Sequence, residues 1–422
     1  MSAPAALILG WARSAAAPHG GAFKTLHAHE IAAPVIAGLL ARASIDGTLV
    51  DAVVVGNALG AGGNPARMLA LAAGLPEHCA AYSIDTQCCA GLDAVTMAAG
   101  LLASGNASVV IAGGMEAWSR APIRQHRPLH AGDLAVSYER PAFAPDPARD
   151  PDMLLAAARY AARHGYTRLA QDAYAILSHE RALARADAIA AEIVPVAGLD
   201  RDAYPRHIKL ARAARMPAVA VSDAAAHADG ESSAHATKFP IDTPGASSVS
   251  EHALNAPSMM RDAAADCSLS ALSIAPRADG AAFVVMASAA ACQRIGLRAR
   301  ASLLASSSIG AAPETPMLAA IDASRAVLAR VGMSMDQMSA IELHDAFAVQ
   351  ALSFCDAFGL KHAALNRRGG GLARGHPIGA SAAIALVRLL ADLERDQAPG
   401  AFGLTASAGA GGIGAAAVVS RA

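Results

Sequence analysis

Short apolar runs alternate with helix-period segments along the first 120 residues. Leu7, Ile8 and Leu9, closed by Gly10, predict a buried strand. Ile31, Ala32, Val35, Ile36 and Leu39 recur at helical spacing and predict a helix over residues 26–42. Val53, Val54 and Val55, ended by Gly56-Asn57, predict a second buried strand, and residues 65–73 a second helix. Residues 82–85 read as a strand entering a turn at Thr86-Gln87-Cys88, followed by a helix over residues 89–103. Val109 to Ala112 form a further strand, which Gly113-Gly114 are expected to end. Such alternation of strand and helix is the signature of an α/β fold.

Between residues 120 and 252 the pattern weakens, and charge, Pro, His and Tyr increase. This stretch reads as an inserted, more exposed subdomain with a helix near residues 172–185 and a loop-like run at residues 223–250. The strand pattern resumes over residues 280–286. The C-terminal part then repeats the opening plan. Leu328-Ala329-Arg330 and Ala340-Ile341-Glu342-Leu343 follow Leu40-Ala41-Arg42 and Ala52-Val53-Val54-Val55 at an offset of 288 residues. At that offset Gly91 falls on Gly379, and Cys88 on His376. Chance matching of two Ala-rich stretches is the alternative. Two halves facing each other would bring Cys88 and His376 together at equivalent strand-to-helix turns, where open α/β sheets bind ligands. The domains are therefore placed at residues 1–120 plus 253–290, 121–252 (the insertion) and 291–422. The charge-free run over residues 401–420 is rich in Gly, Ala and Ser and reads as a loop and a final strand, not a membrane span.

Composition narrows the function. Of 422 residues, 54% are apolar and 16% charged, which excludes disorder. A net charge of −1 argues against nucleic-acid binding and attachment to anionic membranes. The N-terminus lacks the basic segment of a signal peptide. Six cysteines without metal-ligand spacing predict free thiols, no metal and a reducing cytoplasm.

Five segments could carry chemistry. Cys88 stands just before a helix, where unpaired N–H groups and the helix dipole favour a nucleophilic thiolate; the alternative is a buried structural cysteine. His376 lies in Gly369-Gly370-Gly371-Leu372-Ala373-Arg374-Gly375-His376-Pro377 and is either a base for a thiol or a surface-loop histidine. His344, in Glu342-Leu343-His344-Asp345, is either a site residue or a core or capping histidine. Gly409-Ala410-Gly411-Gly412 is no Walker loop, but its N–H groups could face a carbonyl oxygen. Arg201, Arg206, Lys209, Arg212 and Arg215 form a basic cluster, which reads as a solvated helix face or a polyanion contact.

Taken in order, these segments resemble the thiolase family, the acyl-CoA C-acyltransferases that form or cleave 3-ketoacyl-CoA. The resemblance rests on Gly56-Asn57 with Gly63-Asn64-Pro65-Ala66-Arg67, the Cys88 turn, Gly113-Gly114-Met115-Glu116, Asp279-Gly280-Ala281-Ala282 and Gly375-His376-Pro377-Ile378-Gly379-Ala380. It spans nearly the whole chain. It implies two similar βαβαβαββ halves in five layers, α-β-α-β-α, with a loop subdomain inserted in the first half. It implies Cys88 as the acylated nucleophile and His376 as its activator. The backbone N–H groups of Cys88 and Ala410 would form an oxyanion hole. Arg206 would contact CoA, and Met153, Ala346 and Phe347 would line the acyl or pantetheine pocket. Coenzyme A would be a substrate rather than a resident cofactor, and a homodimer or homotetramer is expected.

The sequence also departs from the family pattern. His344-Asp345-Ala346-Phe347 replaces Asn-Glu-Ala-Phe, as in the sterol-carrier-type and archaeal branches, and implies His344 near the thioester oxygen. Ala408 stands where most members carry a second reactive cysteine, and Ala346 where some sterol-carrier-type members supply it. Ala275 and Asp152 replace a serine and a histidine. The missing base leaves open another base (Cys89, Cys267 or His344), a decarboxylative condensation using Cys88, His344 and His376, or a non-catalytic CoA-binding subunit.

Overall fold

The strand–helix alternation takes shape as two copies of one unit in the structure, a computed structural model that describes residues 6–60, 62–222 and 266–422. The run at residues 223–250 and the domain boundary at 252/253 lie outside the described residues. The first copy comprises β1 (Ala6–Arg13), α1 (Ala28–Ala43), β2 (Ala52–Gly56), α2 (Pro65–Ala72), β3 (Ala80–Ile84), α3 (Ala90–Ala103), β4 (Val109–Ala117) and, after the insertion, β5 (Ala278–Ala287). The insertion carries α4 (Met153–His164) and α5 (Arg168–Ala184). The second copy comprises β6 (Ala301–Gly310), α6 (Ala319–Val331), β7 (Met338–Leu343), α7 (Ala348–Phe358), α8 (Ser381–Asp396), β8 (Phe402–Gly409) and β9 (Ile413–Arg421).

Strand order repeats between the copies. The first runs β3-β2-β4-β5-β1 and the second β7-β8-β9-β6, joined where Ala6 to Ile8 pair with Ala301 to Leu303. Parallel pairs β2/β4 and β7/β8 occupy equivalent places. The counterpart of β3 has shrunk to a single parallel bridge, Ile341 to Leu365. His376 therefore follows a glycine-rich loop and a short helix rather than a full strand.

Side-chain alternation along the strands builds the layers. Val53, Val55, Val109 and Ile111 face an outer core with α1 and α2. Ala52, Val54, Val110 and Ala112 face a central core with α3 and α8. In the second copy Ala415, Ala417 and Val419 face that same central core, whereas Ala416 and Val418 face a third one with α6 and α7. Five layers result, α-β-α-β-α, with α3 and α8 back to back in the middle.

Three local expectations are corrected. Gly113-Gly114 do not end their strand, which continues to Ala117 paired with β5. There the two glycines admit close neighbours: Phe283 against Gly113 and the Gly379 carbonyl against Gly114. The C-terminal run forms two strands, because Gly411 and Gly412 adopt positive φ (80° and 78°) and close a tight hairpin. The insertion is exposed over Arg124–His126 and Val136–Tyr138, yet α5 is buried against the second copy.

Buried ions tie the insertion to both copies. Glu192 Oε1 accepts from Arg13 Nε at 2.8 Å and from Arg388 Nη1 at 3.0 Å. Asp202 holds the other face of the Arg13 guanidinium in a two-pronged pair, at 2.7 and 2.8 Å.

Candidate active site

Cys88 lies in a single tight turn, Gln87–Cys89, between β3 and α3. Gln87 takes a left-handed φ of 53°, held by Asp85, which accepts from both the backbone and side-chain N–H groups of Gln87. Such strain just before a nucleophile aims the side chain off the sheet. His376 is fixed by its backbone N–H on Pro276 O at 2.7 Å and by Trp118 Nε1 on its carbonyl at 2.9 Å. Gly375 before it has φ 106°, and a Cβ there would meet Ala278.

The central glycines bring the two turns together. Any Cβ on Gly91 would press on Ala383 and Gly379, and one on Gly379 would press on Asn57. Glu116 locks this junction, accepting from Asn57 Nδ2, Ala58 N, Leu59 N and Gly379 N at 2.7–3.1 Å. As a result Cys88 Sγ stands 3.1 Å from His376 Nε2.

Ser381 supports the histidine tautomer that thiol activation requires. Ser381 Oγ donates its one hydrogen to Pro377 O at 2.9 Å. With that arrangement Ser381 Oγ accepts from His376 Nδ1–H at 2.7 Å, the tautomer that leaves Nε2 as a lone-pair acceptor for the thiol. Ser381→Ala should slow acylation of Cys88 about tenfold, the cost of one orphaned buried hydrogen bond. Ser381→Thr should restore the rate, as read by single-turnover mass spectrometry.

The expected thiolate is not what the resting site favours. Burial pushes the Cys88 thiol up to about 12, against the pull of the Ala410 and Cys88 N–H groups. Burial likewise lowers His376 to about 4. Desolvation outweighs the helix dipole, and the pair rests as neutral thiol and neutral imidazole.

A cavity of about 620 Å³ opens over Sγ. Cys88, His376, Ala410, Met153, Ala346 and Phe347 all line it. Two residues proposed from sequence lie apart from its wall. His344 is fully buried behind His376, with ring centroids 4.4 Å apart and its Nε2 without a partner among the described residues. Burial, then His376 and Arg374, hold it well below the usual histidine range. Arg206 is exposed and donates to Tyr204 O at 3.2 Å. Sequence reasoning missed Ser381, Gln87 and Glu116 as supports; only the serine five residues after His376, at a helix start, carried a local signal.

A neutral thiol handing its proton to an oriented imidazole, beneath two backbone donors, suits covalent acyl transfer. On a duplicated five-layer frame, that chemistry defines a cysteine-dependent acyl-transfer enzyme. Comparison with known proteins narrows the class. The thiolase N-terminal domain matches residues 6–222 and the thiolase C-terminal domain residues 297–421. The chain belongs to the thiolase family. It is 31% identical to an acetyl-CoA acetyltransferase of Rhizobium meliloti, over 100% of both chains. It is 32% identical to one of Allochromatium vinosum, over 97% of each. The crystal structure of the Bacillus anthracis acetyl-CoA acetyltransferase covers 99% of the chain and 98% of its own, with TM-score 0.82 and 26% identity. A thiolase from Ascaris suum in complex with coenzyme A shares the fold at TM-score 0.81 and 24% identity, covering 99% and 100% of the two chains.

Proposed function

We propose that this enzyme is an acyl-CoA C-acyltransferase that forms or cleaves 3-ketoacyl-CoA through a thioester on Cys88. The observation that carries the reading is the 3.1 Å contact of Cys88 Sγ with the acceptor nitrogen of His376 at the wall of an open cavity. The acetyl-CoA acetyltransferase relatives support it over their full length. In the first half-reaction Nε2 takes the thiol proton as Sγ attacks the thioester carbonyl. The N–H groups of Cys88 and Ala410 receive the developing oxyanion. The departing CoA sulfur takes the proton from Nε2–H. His344 polarises the pair from behind, and Met153, Ala346 and Phe347 shape the acyl or pantetheine pocket. Arg206 meets the CoA phosphates at the surface.

Coenzyme A enters and leaves as substrate, and this scheme uses no resident cofactor or metal. The reading places the enzyme in a reducing cytoplasm, as a homodimer or homotetramer. Cys79, Cys88, Cys89, Cys292 and Cys355 form no disulfide, which is in keeping with a reducing compartment. Among the described residues no helix is long and apolar enough to cross a membrane.

Intact mass after exposure to a panel of acyl-CoA and 3-ketoacyl-CoA thioesters tests the proposal. An acyl adduct on the wild type and none on Cys88→Ala is expected. Absence of any adduct, with CoA still bound, would return the protein to a non-catalytic binding role.

A further inference from the structure

Joining two acyl groups that carry no carboxylate to lose requires a base that reaches the α-carbon of the second thioester and generates its carbanion. The three substitutes open to sequence reasoning do not reach the cavity. Cys89 is buried in the central core and turns its Sγ to the carbonyls of Ser407 and Ile413. Cys267 packs against the core of the second copy. His344 is screened by His376. Ala408, Ala346 and Ala275 line the cavity and offer no proton acceptor.

Among the described residues, two carboxylates line it. Asp152 is committed to capping α4, its Oδ1 accepting from Leu154 N at 2.9 Å and Leu155 N at 3.1 Å. Glu139 is exposed beside the surface hairpin. His376 Nε2 remains. It faces the cavity beside Sγ at 3.1 Å, and with Nδ1–H on Ser381 Oγ it is the ring nitrogen that accepts.

Building on the acyl-transfer reading above, we propose that His376 serves both half-reactions, removing the α-proton of the incoming thioester as well as the thiol proton of Cys88. The proton count closes. The first half-reaction returns Nε2 to its free-base form when CoA leaves as a thiol. Nε2 then takes the α-proton, and the C–H electron pair becomes the enolate. The enolate carbon bonds to the carbonyl carbon of the Cys88 thioester. Collapse of the tetrahedral adduct breaks the carbon–Sγ bond, and Sγ takes the proton back from Nε2–H across the 3.1 Å contact.

Deuterium wash-in to the methyl group of acetyl-CoA, followed by NMR in D2O, isolates this step. It is run in a Cys88→Ala background, where no acyl-enzyme forms. Exchange should persist in Cys88→Ala and fall at least about 100-fold in Cys88→Ala/His376→Asn, the usual worth of a positioned base. CoA binding by both variants, followed by calorimetry, shows that the fold is intact. Exchange that survives His376→Asn, that is lost instead on Glu139→Gln or Asp152→Asn, or that is absent from Cys88→Ala while CoA binds, overturns the proposal. Failure of the underlying reading shows separately, as wild-type protein that no acyl-CoA labels.

Discussion

His376→Asn should slow acylation of Cys88 by about 10²–10⁴, the range for loss of a positioned general base. Asparagine keeps a polar side chain of similar reach but cannot accept and release a proton near neutrality. The loss should appear in single-turnover acylation, with CoA affinity little changed, because His376 acts on the thiol. The pH dependence follows from the neutral resting pair. The thiol is pushed up to about 12 and the imidazole down to about 4, so both stay in their reactive neutral forms between those limits. Acylation should therefore be flat across the neutral range and fall only as pH drops toward about 4, where the imidazole is protonated and can no longer accept. Alkylation by iodoacetamide, which requires thiolate, should instead be slow at pH 7 and climb with pH. A fast, pH-independent alkylation at neutral pH would show that the site rests as an ion pair.

Glu192→Ala should lower the unfolding free energy by about 3–5 kcal/mol, the cost of stranding a buried charge without its partner. Arg388 loses the carboxylate bound to its Nη1, and Arg13 keeps Asp202 as its carboxylate partner. A double variant, Glu192→Leu/Arg388→Met, should recover part of the loss, since apolar replacement of a whole buried pair is often neutral. Denaturant titration separates the two. The sign of the pH effect is fixed. Burial alone would raise Glu192, but Arg388 and Arg13 more than offset this and hold it below its ordinary 4.5. The stabilisation is present above about that value and is lost as pH falls through the lower folded-state value. The gap between wild type and Glu192→Ala should accordingly close in acid.

Periodicity exposed the frame because the inner strands are buried on both faces and the outer helices on one stripe. Val53 to Val55 and Ile31 to Leu39 carry that signal without help from distant residues. The pairing of Cys88 with His376 was legible through the repeat offset, since equivalent turns in two facing copies must meet. Ser381, Gln87 and Glu116 were not legible as parts of the site. Their roles depend on a carbonyl, a left-handed backbone and four converging N–H groups that only the folded chain brings together. The thiolate expectation failed for a related reason: sequence shows the helix that follows Cys88, but not the burial that outweighs its dipole. Helix α4 escaped notice because its short Ala-rich face sits within a stretch read as exposed.

The contact between Cys88 and His376 spans 288 residues of chain. At about 5–20 residues per second of synthesis, His376 is made about 15–60 s after Cys88. During that interval the nucleophile has no base, and its turn lacks the Gly379 and Ala383 surface on which α3 rests. The growing chain thus carries Cys88 as an ordinary thiol without its activating base. Acylation assisted by His376 arrives only when the second copy docks and brings Nε2 to Sγ.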